Sequence, residues 1–179
     1  MNRLPQRICL TGFMAAGKTT IARALAQMLG RACVDLDEFI TVREGRNPRE
    51  LIDEAGEAAF RDIETHALRQ ALEETPSCVL ALGGGTWTLE RNRALILRHD
   101  GATVWLDAPF DLCWQRIKSD SDVQGRPLAR ERDEARRLYD ERRAAYEGAR
   151  WRVVVSADMS AAEAAREIER ALRDMGEAN

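Results

Sequence analysis

Eight residues near the start of the chain, Gly12-Phe13-Met14-Ala15-Ala16-Gly17-Lys18-Thr19, constrain the fold more than any other stretch. They carry the spacing G-x-x-x-x-G-K-[ST] of a phosphate-binding loop, an arrangement that works between a strand and a helix. Both flanks comply. Arg7 to Thr11 (RICLT) reads as a short apolar strand, and Thr20 to Leu29 as a helix with Ile21, Leu25 and Met28 on one face. Gly12 and Gly17 permit backbone angles that a side chain would forbid. The loop N–H groups of Gly12, Ala15, Ala16, Gly17 and Thr20 are then expected to point inward, with the positive end of the helix behind them. Lys18 would reach the β/γ-phosphates of a nucleotide, and the Thr19 hydroxyl would hold Mg²⁺.

A global electrostatic role is excluded by the charge balance. The formal net charge over 179 residues is −3, so positive charge for phosphates has to be local, and a broad nucleic-acid-binding surface is not expected. The first strand begins within a few residues of Met1, which leaves no room for a signal peptide, and no apolar run approaches the roughly 18 residues of a membrane span. A cytoplasmic protein is expected. The four cysteines, Cys9, Cys33, Cys78 and Cys113, form no C-x-x-C pair and lie far in sequence from His66 and His99. Zinc is therefore not expected, and the thiols should be buried and reduced.

Further along, the strand Arg31 to Asp35 ends in Asp35-Leu36-Asp37. Two carboxylates at a strand's end sit where α/β proteins bind ligands. Asp35 could hold a Mg²⁺-bound water and Asp37 could accept a substrate hydroxyl or its proton; either could instead cap the next helix. Glu38 to Arg43 reads as a short helix, Pro48 opens another turn, and a longer helix runs from about Gly56 to Glu74 with Phe60, Ile63, Ala67 and Ala71 inward. On its neighbouring face Arg61 and Glu64 are close enough to pair, in the plainest case as a solvated ion pair. The apolar run Ser77 to Leu82 fits a strand buried on both faces and runs straight into Gly83-Gly84-Gly85, whose N–H groups could hold a carboxylate or a phosphate.

Residues 89–98 read as a helix, 102–107 as a strand and 110–118 as a helix. A polar stretch, 119–125, then precedes Arg126-Pro127-Leu128, the pattern of a lid that brings an arginine over phosphates. The charged segment 129–146 reads as a solvated helix with pairs such as Asp133–Arg137, from which Arg142 or Arg143 could turn into the site. A last strand, 151–155, leads to the capping box Ser160–Glu163 and a helix with Ala161, Ala164, Ala165, Ile168, Leu172 and Met175 facing the core. Strands alternating with helices imply a parallel sheet covered on both faces, with every candidate loop at one edge.

These residues resemble a known family. Gly12 through Thr19, Asp35-Leu36-Asp37, Gly56-Glu57-Ala58-Ala59-Phe60-Arg61-Asp62-Ile63-Glu64, Gly83-Gly84-Gly85 and Arg126-Pro127-Leu128 are similar to the motifs of the shikimate kinases, P-loop small-molecule kinases, over nearly the whole chain. The string G-E-x-x-F-R-x-x-E is the most specific. The resemblance implies one α/β/α P-loop kinase domain over 1–179, with five parallel strands in the order 2-3-1-4-5. It also implies an acceptor-binding segment near 36–64 and a lid near 119–131. By the same resemblance, Lys18 and Thr19 serve ATP and Mg²⁺, Asp35 supports the metal, and Asp37 binds the acceptor hydroxyls. Arg61 and Gly83 to Gly85 bind shikimate, Arg126 is the lid arginine, and Arg116 contacts adenine. The segment Glu141 to Tyr146 resembles E-R-x-P-x-Y with Ala144 for proline; that register makes Arg142 the second carboxylate-binding arginine, with Arg143 the alternative. Ala15 stands at a family glycine, a mild change if its backbone angles are ordinary.

The implied activity is ATP-dependent phosphorylation of the shikimate 3-hydroxyl, a step in aromatic amino-acid biosynthesis, by a monomer with Lys18, Asp37 and Arg126 as the catalytic groups. A kinase of another small hydroxylated acid such as gluconate, or a nucleotide-binding module without turnover, are the alternatives.

Overall fold

The computed structural model describes residues 4–119 and 131–174. Its frame is a sheet of β1 (Arg7–Thr11), β2 (Ala32–Asp35), β3 (Cys78–Ala81), β4 (Gly101–Asp107) and β5 (Trp151–Val154). The spatial order is β2-β3-β1-β4-β5, and every pairing is parallel. The central strands carry uninterrupted apolar runs because both of their faces are covered: Ile8, Cys9, Leu10, Val79, Leu80 and Val104 are fully buried.

Helix α1 (Lys18–Leu29) connects β1 to β2 and packs against β3 and the closing helix α8 (Ala161–Asp174). The helices α2 (Leu36–Glu44), α3 (Pro48–Ala55) and α4 (Glu57–Glu74) pack on one another, and α4 meets α5 (Glu90–Arg98), which lies against β4. Right-handed crossovers put α1 and α8 on one face and the α2–α5 group on the other. The β4–β5 connection carries α6 (Phe110–Ser119) and α7 (Arg132–Tyr146). The strands' N-terminal edge is braced by arginines donating to backbone: Arg7 bonds Leu72 O (3.1 Å) and His99 O (3.0 Å), and Arg31 bonds Pro5 O and Gln6 O.

Several expectations are corrected. The buried stripe of α1 is Ile21, Ala22, Leu25 and Ala26 with Leu29 beside them, which leaves Met28 at its margin and 41% exposed. All four cysteines are free, but only Cys9, Cys78 and Cys113 are buried; Cys33 is exposed because β2 is an edge strand. On α7 the intrahelical pair is Arg136–Asp140, and no Asp133–Arg137 pair forms among the described residues. Ser160 and Glu163 form the expected box, the Glu163 N–H donating to Ser160 Oγ at 3.2 Å and the Ser160 N–H to Glu163 Oε2 at 2.8 Å. Ala164, Ala165, Ile168 and Leu172 are buried, Ala161 is half-buried, and Met175 lies outside the described residues. No helix among the described residues is long and apolar enough to cross a membrane.

Candidate active site

The loop after β1 closes around Lys18. Its Nζ donates to Gly12 O (2.9 Å) and Phe13 O (2.8 Å), so the backbone holds the ammonium at the helix mouth. Gly12 has φ +145°, and a Cβ there would meet Leu106 O at 2.7 Å, too close for any side chain while β1 lies beside β4. Gly17 caps α1 in a left-handed conformation, and the first turn contains no acidic residue to neutralise the helix dipole.

Two expectations about this loop change. Ala15 has φ +59°, so the alanine occupies a left-handed position that favours glycine; the substitution is not mild. Ala16 is buried and its N–H donates to Phe13 O, so that N–H closes a turn rather than facing a ligand.

Asp35 caps the next helix, one of the two roles considered for it, and also bonds Thr19. One oxygen accepts the N–H groups of Asp37 (3.0 Å) and Glu38 (3.2 Å), capping α2, and the other accepts the Thr19 hydroxyl at 2.5 Å. A hydroxyl and a carboxylate meeting at a phosphate loop suit Mg²⁺, which takes few protein oxygens and keeps waters and substrate phosphates. The remaining ligands would have to come from those sources, since no cluster of three His, Cys, Asp or Glu occurs among the described residues. Asp37 sits in the first turn of α2, its carboxylate 3.1 Å from where a Cβ on Gly83 would lie.

Arg61 is not part of a solvated pair. Its guanidinium donates to Glu64 (3.0 Å) and Glu57 (2.9 Å), with Glu64 only 1% exposed and also accepting the Thr86 hydroxyl at 2.7 Å. Burial works against the Arg61 charge, but the two carboxylates outweigh it and hold the group above the ordinary arginine value. The guanidinium lies against Gly85, leaving no room for a Cβ there.

The choice between the α7 arginines is made by their partners. Arg142 points at the glycine loop, its Nη1 3.3 Å from where a Cβ on Gly84 would sit. Arg143 turns to Asp107, bonding both carboxylate oxygens at 2.9 and 3.3 Å. Tyr146 donates its hydroxyl to Gly84 O at 2.5 Å; burial pushes the phenol up to about 12 against the opposing influence of Arg142.

A cleft of about 390 Å³ collects groups from four loops at the C-terminal edge of the sheet. Ala15, Gly17, Lys18, Thr19 and Thr20 line one side; Asp35, Asp37, Gly83 and Gly84 line another. Arg116 enters from α6 and donates to Ala15 O at 3.1 Å. Gly12 and Ala16 stand behind this lining, Arg61 and Arg142 abut its glycine loop, and residues 120–130 of the expected lid, Arg126 among them, lie outside the described residues. Sequence reasoning missed Val155 and Met159, which line the cleft from the β5–α8 loop. It also missed Trp87, whose Nε1 donates to Ala145 O at 3.0 Å and ties the glycine loop to α7. Neither has a motif to mark it, although a tryptophan two residues beyond a glycine run was a usable signal.

Against known proteins, a sequence model described as shikimate kinase matches residues 14–173. The chain belongs to the shikimate kinase family. The shikimate kinase of Salinibacter ruber is 40% identical over 154 residues, 81% of this chain and 74% of that protein. The shikimate kinase of Helicobacter hepaticus is 33% identical over 91% of this chain and 93% of its own. Among solved structures, the Acinetobacter baumannii shikimate kinase in complex with shikimate superposes with a TM-score of 0.84 at 33% identity, covering 97% of this chain and 96% of that one. A gluconokinase from Sinorhizobium meliloti, at 18% identity and a TM-score of 0.62, shares the fold.

Proposed function

We propose that this chain transfers the γ-phosphoryl group of ATP to the 3-hydroxyl of shikimate. The observation that carries the reading is the meeting of Arg61 from α4 and Arg142 from α7 at Gly83 to Gly85, on the flank of the cleft that holds Lys18. Two planar guanidiniums beside a loop without side chains suit a small carboxylate, since the arginine fork binds both oxygens. The membership in the family and the A. baumannii complex support shikimate as that acid.

The division of labour follows. Phosphoryl transfer needs positioning and charge neutralisation more than covalent help. Lys18 and the N-terminus of α1 bear on the phosphate oxygens, and the lid segment, 119–131, adds Arg126. Arg116 takes the adenine side. Thr19 directly and Asp35 through water would hold Mg²⁺, which supplies charge neutralisation at the β- and γ-phosphates when bound. Asp37, facing Gly83, orients the acceptor hydroxyl and accepts its proton. The segment 36–64, which delivers Asp37 and Arg61, forms the acceptor side. The whole chain acts as one kinase domain, monomeric and cytoplasmic.

ADP release measured with ATP, Mg²⁺ and a panel of acceptors tests this. Turnover with shikimate and none with gluconate is expected. Lys18→Ala should abolish turnover, whereas Arg61→Ala should weaken acceptor binding and spare ATP binding. An unchanged acceptor affinity in Arg61→Ala would remove the assigned carboxylate contact.

A further inference from the structure

Asp107, at the end of β4, is nearly buried and takes no part in the chemistry above. Its side chain is 8% exposed, yet two arginines converge on it. Arg143 spans both carboxylate oxygens, and Arg152 of β5 bonds one of them through Nε (2.9 Å) and Nη2 (2.5 Å). Both guanidiniums also lie over the Trp105 ring, at 4.9 and 5.0 Å from its centroid. A carboxylate this enclosed at the functional edge of the sheet calls for a reason beyond charge balance.

We propose that Asp107 is a positioning residue for the acceptor site, setting the rotation of α7 and through it the aim of Arg142; this rests on the proposed acceptor role of Arg142. Adjacent residues on a helix diverge by about 100°. Fixing Arg143 on β4 therefore fixes the direction of Arg142 toward Gly84. A second route runs through the rings. Trp105 packs on Tyr146 with centroids 6.3 Å apart, and the Tyr146 hydroxyl holds Gly84 O. The clasp thus bears on Arg142 and on its glycine loop together. Tyr139, one turn earlier, donates to Ala108 O at 3.0 Å and accepts from Arg143 at 3.2 Å, so the clasp continues along α7. An asparagine at 107 would offer one oxygen and one NH₂ group where two guanidiniums need two oxygens.

Arg152 supplies the control, because it binds the same carboxylate and the same ring but comes from β5. Steady-state kinetics with shikimate and ATP are compared for wild type, D107N, R143Q, the D107N/R143Q double variant and R152Q. D107N and R143Q should each raise the shikimate KM about tenfold, with kcat and the ATP KM changed less than about twofold, and the double variant should be no worse than either single one. R152Q should leave both KM values within about twofold of wild type. A shikimate KM unmoved in D107N overturns the proposal. So does a uniform loss across all parameters, or an R152Q effect as large as that of R143Q.

Amide hydrogen exchange on the same proteins keeps the result separate from the choice of acceptor. D107N should speed exchange across 140–146 and 83–86, and R152Q should not. If wild type ignores shikimate, the acceptor reading falls while exchange still judges the clasp, and unchanged exchange in D107N overturns it.

Discussion

The Arg61 guanidinium occupies the space in which a side chain on Gly85 would begin: a Cβ there would lie 2.5 Å from Nη2 and 2.7 Å from Cζ. Gly85 has an ordinary right-handed backbone, so its glycine is required by what stands beside it and not by its own torsions. The glycine run and the arginine, twenty-four positions apart in the chain, are two halves of one feature.

A methyl group at Gly85 should therefore act on binding more than on folding, because what it meets is the far end of a long side chain. Gly85→Ala is expected to raise the shikimate KM about tenfold, about 1.4 kcal/mol of lost acceptor binding, with the ATP KM unchanged. Its stability loss in urea should stay within the lower part of the overpacking range, about 1 kcal/mol.

Ala15 gives the opposite case, a left-handed backbone with a side chain on it. Relief of that strain should exceed the extra freedom glycine gains in the unfolded chain, so Ala15→Gly is expected to stabilise the protein by about 0.5–1 kcal/mol. Thermal unfolding would show a rise of about 1–4 °C.

Glu64 faces a different test. Glu64→Ala leaves the largely buried Arg61 with Glu57 alone and strands the Thr86 hydroxyl, a loss of about 3 kcal/mol by chemical denaturation. Adding Arg61→Ala should recover part of it, since the cost arises from an uncompensated charge.

Tyr146 predicts an alkaline signature. Its folded value of about 12 lies above the ordinary 10, so the unfolded chain loses this proton first. The phenol's contribution to stability is complete below pH 10 and is lost as pH rises from 10 toward 12, about 2–3 kcal/mol in all. Tyr146→Phe should remove that increment of alkaline destabilisation. Near pH 7 it should cost about 1 kcal/mol for the bond to Gly84 O.

The frame and most of the cleft were legible because their signals are local. The run Ser77 to Leu82 could hardly be anything but a covered strand, and the spacing from Gly12 to Thr19 dictates strand, loop and helix. What escaped depends on neighbours distant in sequence. Nothing around Cys33 says that β2 is an edge, and nothing around Glu64 says that Thr86 will cover it. The choice between Arg142 and Arg143 depends on Asp107, thirty-six residues before Arg143. Ala15 carries no mark of its torsion except that its place is a family glycine.

The arginines at the two ends of the sheet have opposite fates. Arg7 and Arg31 spend their donors on fixed carbonyls, stapling strand starts to helix and loop ends. Arg61 and Arg142 stand at the other rim beside a loop stripped of side chains. The Arg7 pole therefore braces the sheet away from the cleft, while the opposite rim carries the acceptor side and, through Glu64 and Tyr146, stability of its own. A breeder of hardier variants could work on the Arg7 pole freely, while a change of diet would have to be written at the other.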